Sequence, residues 1–197
     1  MHLNSTKKKS ILNKNTYLIV FILTFFILFI FWFSKGKEKK SKLQELKYEE
    51  IIKKINANKK EDLSSVEKFI VENKNIYGTL SSLSLAKKYI LDNNLDKAFI
   101  QLDNSLKYTK EENLKNILKL RIAKIKIQQN KNQDAMKILE DIKDSSWTNI
   151  IENMKGDIFM KNKDIKKAIL AWEKSKYFEQ SNASKEIINM KINQIKK

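Results

Sequence analysis

Residues 85–102, LAKKYILDNNLDKAFIQL, decide the fold. Leu85, Ala86 and Tyr89 fall at helical spacing before the Asn93-Asn94 pair, and Ala98 and Leu102 do so after it. Asparagine tolerates left-handed backbone and caps a following helix, so the stretch reads as two antiparallel helices joined by a tight turn. The same order of residues returns twice. Ile122-Ala123 precedes a turn at 130–132 and is followed by Ala135 and Leu139, while Gly156 and Phe159 precede a turn at 162–164 and are followed by Ala168 and Trp172. In every copy twelve positions separate the small residue of the first helix from the alanine of the second, and the copies lie 37 and then 33 residues apart. Small residues are what two helices need at the point where their axes approach most closely.

Those intervals bracket the roughly 34-residue period of a tetratricopeptide repeat, in which stacked helix pairs bury a continuous core that no single pair could form. Leu102, Leu139 and Trp172 are expected to fill the space between repeats. Thr109-Lys110-Glu111-Glu112 has capping-box spacing and opens the second repeat. Lys126 stands where the first helix of the middle copy would carry an aromatic, which weakens that repeat without breaking its period. Beyond Ser181, the residues Ile187, Ile188, Met190, Ile192 and Ile195 outline a last helix that covers the end of the stack. The fold class is therefore all-α, with three tetratricopeptide-like repeats over 77–180 forming an α-solenoid and a capping helix over 181–197.

Working towards the N-terminus, residues 35–76 read as helices leading into the repeats. The first, from about Lys37 to Ala57, carries Leu43, Leu46, Ile51, Ile52 and Ile55. The second starts near Asp62 or Ser64, where Ser64 and Glu67 have capping-box spacing, and buries Val66, Phe69, Ile70 and Ile76. Before them lies YLIVFILTFFILFIFWF, from Tyr17 to Phe33, with no charged residue. Extended over 17–34, it gives a helix of about 27 Å, enough to span a bilayer core. Insertion should be favourable by several kcal/mol in sum, since no Asp, Lys or Arg opposes the Leu, Ile, Val and Phe. A cleaved signal peptide would have a shorter apolar region and a small-residue cleavage site, whereas this stretch ends Phe-Trp-Phe-Ser-Lys-Gly, so the expectation is an uncleaved transmembrane signal anchor. Residues 1–16 form a short basic tail holding His2, the only histidine. The tail carries four lysines and the segment just after the anchor at least as many, so charge leaves the orientation open.

Composition agrees. Proline and cysteine are absent and glycine numbers 3, so turn punctuation is scarce and neither a disulfide framework nor a thiol nucleophile exists. The net charge of +17 raises nucleic acid as a partner, but Arg121 is the only arginine and the lysines are spread among Glu and Asp along every helix. That is the pattern of solvated faces rather than of a phosphate-binding surface. With no usable His, no Cys and no Gly-rich phosphate loop, the sequence offers no catalytic arrangement, metal site or cofactor site.

What stacked helix pairs do offer is a concave groove lined by the first helix of each pair. By repeat position the protein-binding candidates are Leu80, Leu83, Lys87, Ile90 and Leu91 in the first repeat, Ile117, Leu120, Lys124 and Ile127 in the second, and Met160 in the third. Apolar residues beside lysines suit extended or partly folded chains with apolar and acidic segments. Trp147 and Trp172 are expected in the core.

The segments 72–78 (ENKNIYG), Ser82-Leu83 with Leu85-Ala86, Glu112-Asn113-Leu114-Lys115 with Leu120-Arg121-Ile122-Ala123, Ile142-Lys143 with Trp147, Ala168 with Ala171-Trp172-Glu173, and Met190-Lys191-Ile192-Asn193 together resemble the YfgM-type ancillary subunit of the bacterial SecYEG translocon. The resemblance runs from about Glu72 to the C-terminus. It implies a non-enzymatic, single-pass inner-membrane protein with a cytoplasmic N-terminus and periplasmic repeats. The implied partners are the translocon, a membrane-anchored periplasmic chaperone of the peptidyl-prolyl isomerase class, and emerging or unfolded chains on their way to periplasmic chaperones. The short, wholly basic tail and the Phe/Ile-rich anchor depart from the family, whose tail carries acids and whose anchor is richer in small residues. A structural adaptor bound to one fixed envelope protein is the alternative reading.

Overall fold

The computed structural model describes residues 14–57 and 60–195, which form nine α-helices, one short 3-10 turn and no strand. The chain divides into two compact units, 1–47 and 48–197. The first helix, α1 (Lys14–Ala57), passes from one into the other. It runs unbroken through Gly36, where a separate helix beginning near Lys37 was expected. One helical glycine costs only about 1 kcal/mol, and the Lys, Glu, Leu and Gln around it are good helix formers.

In the first unit, the described side chains over 19–32 are exposed on every side of α1, Trp32 to 74% and Phe29 to 51%. Thr24 satisfies its hydroxyl within the helix by donating to the Phe21 carbonyl at 2.9 Å. The described apolar run of 14 residues is about 21 Å long, and among the described residues no helix is long and apolar enough to cross a membrane. The 17–34 stretch also contains Leu18, Phe33 and Ser34, whose side chains lie outside the described residues, as do residues 1–13 of the basic tail.

In the second unit, α2 (Lys60–Glu72) packs on α3 (Ile76–Leu91), which pairs with α4 (Leu95–Tyr108). Then follow the pairs α5 (Glu112–Gln128) with α6 (Asn132–Glu140), and α7 (Thr148–Lys161) with α8 (Ile165–Phe178), before α9 (Asn182–Ile195). Ile51 and Ile55 at the end of α1 join Val66 and Ile70 of α2 in the core, whereas Leu43, Leu46 and Ile76 are exposed. Helix α2 starts earlier than expected, so Ser64 lies inside it and caps nothing.

The six small positions are all buried, Ala86, Ala98, Ala123, Ala135 and Ala168 at 1% or less. One face of α5, with Leu118, Ile122 and Ile125, completes the core of the first pair, while Leu120, Ala123 and Ile127 start the next, which is how successive pairs share one interior. Trp172 fills the inside of the third pair, lying on Gly156, and is covered by Ile188 and Ile192 of α9 rather than spanning two repeats.

Each pair turns through the same device. The amide N–H groups of Asn93 and Asn94 donate back to the carbonyls of Ile90 and Tyr89, those of Asn130 and Lys131 to Ile127 and Lys126, and those of Lys163 and Asp164 to Met160 and Phe159. The left-handed residues are Asn93, Asn130 and Lys163, with φ of 56°, 59° and 62°. The third is a lysine, in the middle of the turn expected at 162–164. A non-glycine residue in this region costs roughly 1–2 kcal/mol, so Lys163→Gly is expected to stabilise the protein by about 1 kcal/mol and raise Tm by about 3 °C in a thermal melt. Asn94 and Asp164 accept from Lys97 N and Lys167 N as caps.

The second repeat opens differently from expectation. Glu111 is the residue that caps α5, its carboxylate accepting from the amides of Asn113 and Leu114. Thr109 instead ends α4, its buried hydroxyl donating to the Ser105 carbonyl at 2.7 Å and meeting Thr79 Oγ1 at 3.1 Å.

Candidate functional site

The first helices of the three pairs, α3, α5 and α7, bound a groove that α9 continues. Between α3 and α5 lies a chamber of about 590 Å³ with Leu83, Lys87, Ile90 and Leu91 on one wall and Ile117, Arg121, Lys124 and Gln128 on the other. Between α5, α7 and α9 lies a second chamber of about 580 Å³. Ile117, Arg121, Lys124 and Gln128 line both, because spacings of four, three and four place them on one stripe of α5. The second chamber adds Leu120 and Ile127 of α5, Ile150, Met154 and Asp157 of α7, and Ile187 and Lys191 of α9.

Eight of the ten residues singled out from the repeat pattern line these two chambers. Leu120 and Ile127 are only 8% and 9% exposed and serve both as groove wall and as core. Met160, the repeat equivalent of Ile127, lines a third hollow of about 450 Å³ between α7 and α9 with Asp157, Trp172 and Lys191. Leu80 is half-buried on α3 and lines none of them. Among the described residues, neither α1 nor α2 contributes a side chain to either main chamber; α2 packs on the Leu85 and Tyr89 side of α3, with Tyr89 Oη donating to Glu67 Oε1 at 2.7 Å. Burial and then that hydrogen bond push the Tyr89 hydroxyl well above its ordinary pKa.

Arg121 and Gln128 were missed, although four-residue steps from Ile117 and Lys124 reach them directly. Trp147 was expected in the core; it is half-buried, packs against the core of the second pair and also lines the second chamber. Trp172 is a core residue, 3% exposed. The contribution of α9 carries no signal at repeat spacing.

Some polar groups at the groove are already engaged. Lys161 Nζ donates to the Ile127 carbonyl at 2.6 Å and so ties α7 to the C-terminus of α5, and Lys191 donates to Asn153 Oδ1 and Asp157 Oδ1 at 2.7 and 2.6 Å. Glu179 accepts from the amides of Ser181 and Gln180 and from the Asn149 side chain, each at 2.9 Å. The Ser181 amide, then the Asn149 amide group, hold its carboxyl below the ordinary 4.5, and Lys119 does the same for Asp141 on the outer face. A depressed folded pKa stabilises fully above the unfolded value and is lost as pH falls through the folded one. Urea midpoints are therefore expected to hold steady from neutral pH to about 5 and then fall, with Glu179→Gln showing a shallower decline. Among the described residues, no group of three or more His, Cys, Asp or Glu side chains gathers to hold a metal.

A family model described as a tetratricopeptide repeat-like domain matches residues 9–197. The chain is 76% identical over 197 residues to the ancillary SecYEG translocon subunit of Buchnera aphidicola subsp. Schizaphis graminum, with all of both chains covered. It is 56% identical to the protein of the same name from Buchnera aphidicola subsp. Acyrthosiphon pisum, with 98% of each chain covered. The likeness to the Escherichia coli K12 protein of that name is 35% over 150 residues, 76% of this chain and 73% of the relative. No solved structure gives a significant match. With a family model spanning nearly its whole length and full-length relatives this similar, the chain belongs to the family of ancillary SecYEG translocon subunits, built on a tetratricopeptide repeat-like domain.

Proposed function

We propose that the protein is a non-enzymatic companion of the SecYEG translocon, held at the inner membrane by residues 17–34, whose groove binds polypeptide. The observation that carries the reading is the full-length likeness to a protein named for that assembly, in a chain whose stacked helix pairs leave one continuous groove along α5. The anchor rests on the 17 consecutive uncharged residues from Tyr17 to Phe33. Anchoring raises the effective concentration of a weak groove near its clients without any new contact. The orientation proposed is N-terminus in the cytoplasm and repeats in the periplasm, where clients would pass towards periplasmic chaperones, among them a membrane-anchored one of the peptidyl-prolyl isomerase class.

The test is recovery of SecY with a C-terminally tagged full-length chain from detergent-solubilised membranes, together with protease added to intact spheroplasts. SecY should co-purify, and the repeats should be cleaved from outside. Absence of SecY would end the translocon reading. Repeats protected until lysis, with a control showing that they are cleavable, would reverse the orientation.

A further inference from the structure

The chamber between α3 and α5 holds cations that no carboxylate answers. Lys87, Arg121 and Lys124 line it, all three are exposed, and among the described residues none has an acidic partner within ion-pair distance. The other basic residues of the same two helices are engaged elsewhere. Lys88 pairs with Asp92 at 2.8 Å, Lys115 with Glu112 at 3.1 Å, Lys119 with Asp141 at 2.6 Å, and Lys126 Nζ sits 3.9 Å from the centre of the Phe99 ring. Among the basic residues of α3 and α5, the three that line the chamber have no acidic partner within ion-pair distance, and they include the protein's single arginine.

We propose that this chamber recognises an acidic amphipathic polypeptide segment, its apolar side chains on Leu83, Ile90 and Ile117 and its carboxylates on Lys87, Arg121 and Lys124. The proposal deepens the groove reading above and rests on it for the occupant being polypeptide. Charge complementarity selects the segment: a basic one would meet three like charges, and a guanidinium suits a carboxylate in two-point contact. Apolar walls and a single arginine disfavour a nucleic acid. The shared stripe from Ile117 to Gln128 is about 17 Å long, matching roughly three helical turns of a bound segment.

The test uses the full chain in detergent micelles and two fluorescein-labelled four-turn peptides that share a leucine stripe, one flanked by Glu and its twin by Lys, read by anisotropy. The acidic peptide should bind about tenfold tighter or better, and weaken as salt rises. The triple variant Lys87→Glu, Arg121→Glu, Lys124→Glu should abolish or reverse that preference while circular dichroism and melting stay unchanged, since all three side chains are exposed. The same reversal at exposed Lys110, Lys131 and Lys166 should leave it intact. Equal binding of both peptides, or equal effects of the two triple variants, would overturn the proposal. If it is overturned while SecY still co-purifies with the unaltered chain, the translocon reading stands without it.

Discussion

Gly156→Ala is expected to destabilise the repeat unit by about 3 kcal/mol. An added Cβ would lie 2.8 Å from Trp172 Cγ and nearer still to Cδ1 and Nε1. The ring is held where it is by packing and by hydrogen bonds. It is 3% exposed, packed by Ile188 and Ile192, and its Nε1–H donates to the Asn153 carbonyl at 3.2 Å and Asp157 Oδ1 at 3.1 Å. Lys191 binds the same Asp157 oxygen and stands 5.5 Å from the ring centre, so displacing the indole also loosens α9 from the stack. Urea unfolding followed by circular dichroism measures the loss. Trp172→Leu in the same background should recover part of it, giving a favourable coupling of about 1 kcal/mol or more in the double-mutant cycle. A single-mutant cost within 0.5 kcal/mol would mean that the ring is not seated on Gly156.

Gly78→Ala should cost a similar amount, about 3 kcal/mol, by a different route. Its Cβ would overlap the carbonyl oxygen of Asn73 and stand 3.0 Å from the carbonyl carbon, with Tyr108 Oη at 3.3 Å. The obstacle is backbone, so no rotamer change relieves it. That carbonyl is held in place: Asn75 N donates to it at 2.8 Å, Asn73 N and Nδ2 both donate to the Phe69 carbonyl, and Asn75 Oδ1 accepts from the amides of Tyr77 and Gly78. The turn between α2 and α3 must shift, and α2 with it. Hydrogen exchange should show amides around Val66 and Ile70 losing protection before those of α5 and α7. Uniform loss across all helices would contradict this.

These two glycines also mark how far the sequence could be read. Gly156 was legible because it stands at the small position of a repeat, twelve residues before Ala168, and the same arithmetic located Ala86, Ala123 and the three turns. Its partner was not: Trp172 stands where the other repeats carry Leu102 and Leu139, and only the structure shows the larger ring using the volume that the missing methyl leaves. Gly78 gave no signal of its purpose, since it packs against a turn outside the repeat period. Thr109 was misread because capping-box spacing is a local criterion, while its hydroxyl is engaged by Ser105 and Thr79, the latter 30 residues away. Repeat position brings four of the five α3 candidates and all four α5 candidates to the two chambers, with Leu80 outside them and Arg121 and Gln128 added. On α7, where α9 takes the place of a fourth repeat, Met160 falls in the last hollow of the row, and Ile187 and Lys191 enter from a helix with no repeat counterpart.

Under the function proposed above, polypeptide lies on the stripe along α5. A photo-cross-linking amino acid placed at Lys124, and separately at exposed Lys137 on α6, tests it in growing cells with the full-length chain. Adducts with translocon subunits or chains in transit are expected from position 124, and few from position 137. Adducts from position 137 alone, or equal yields at both positions, would contradict it.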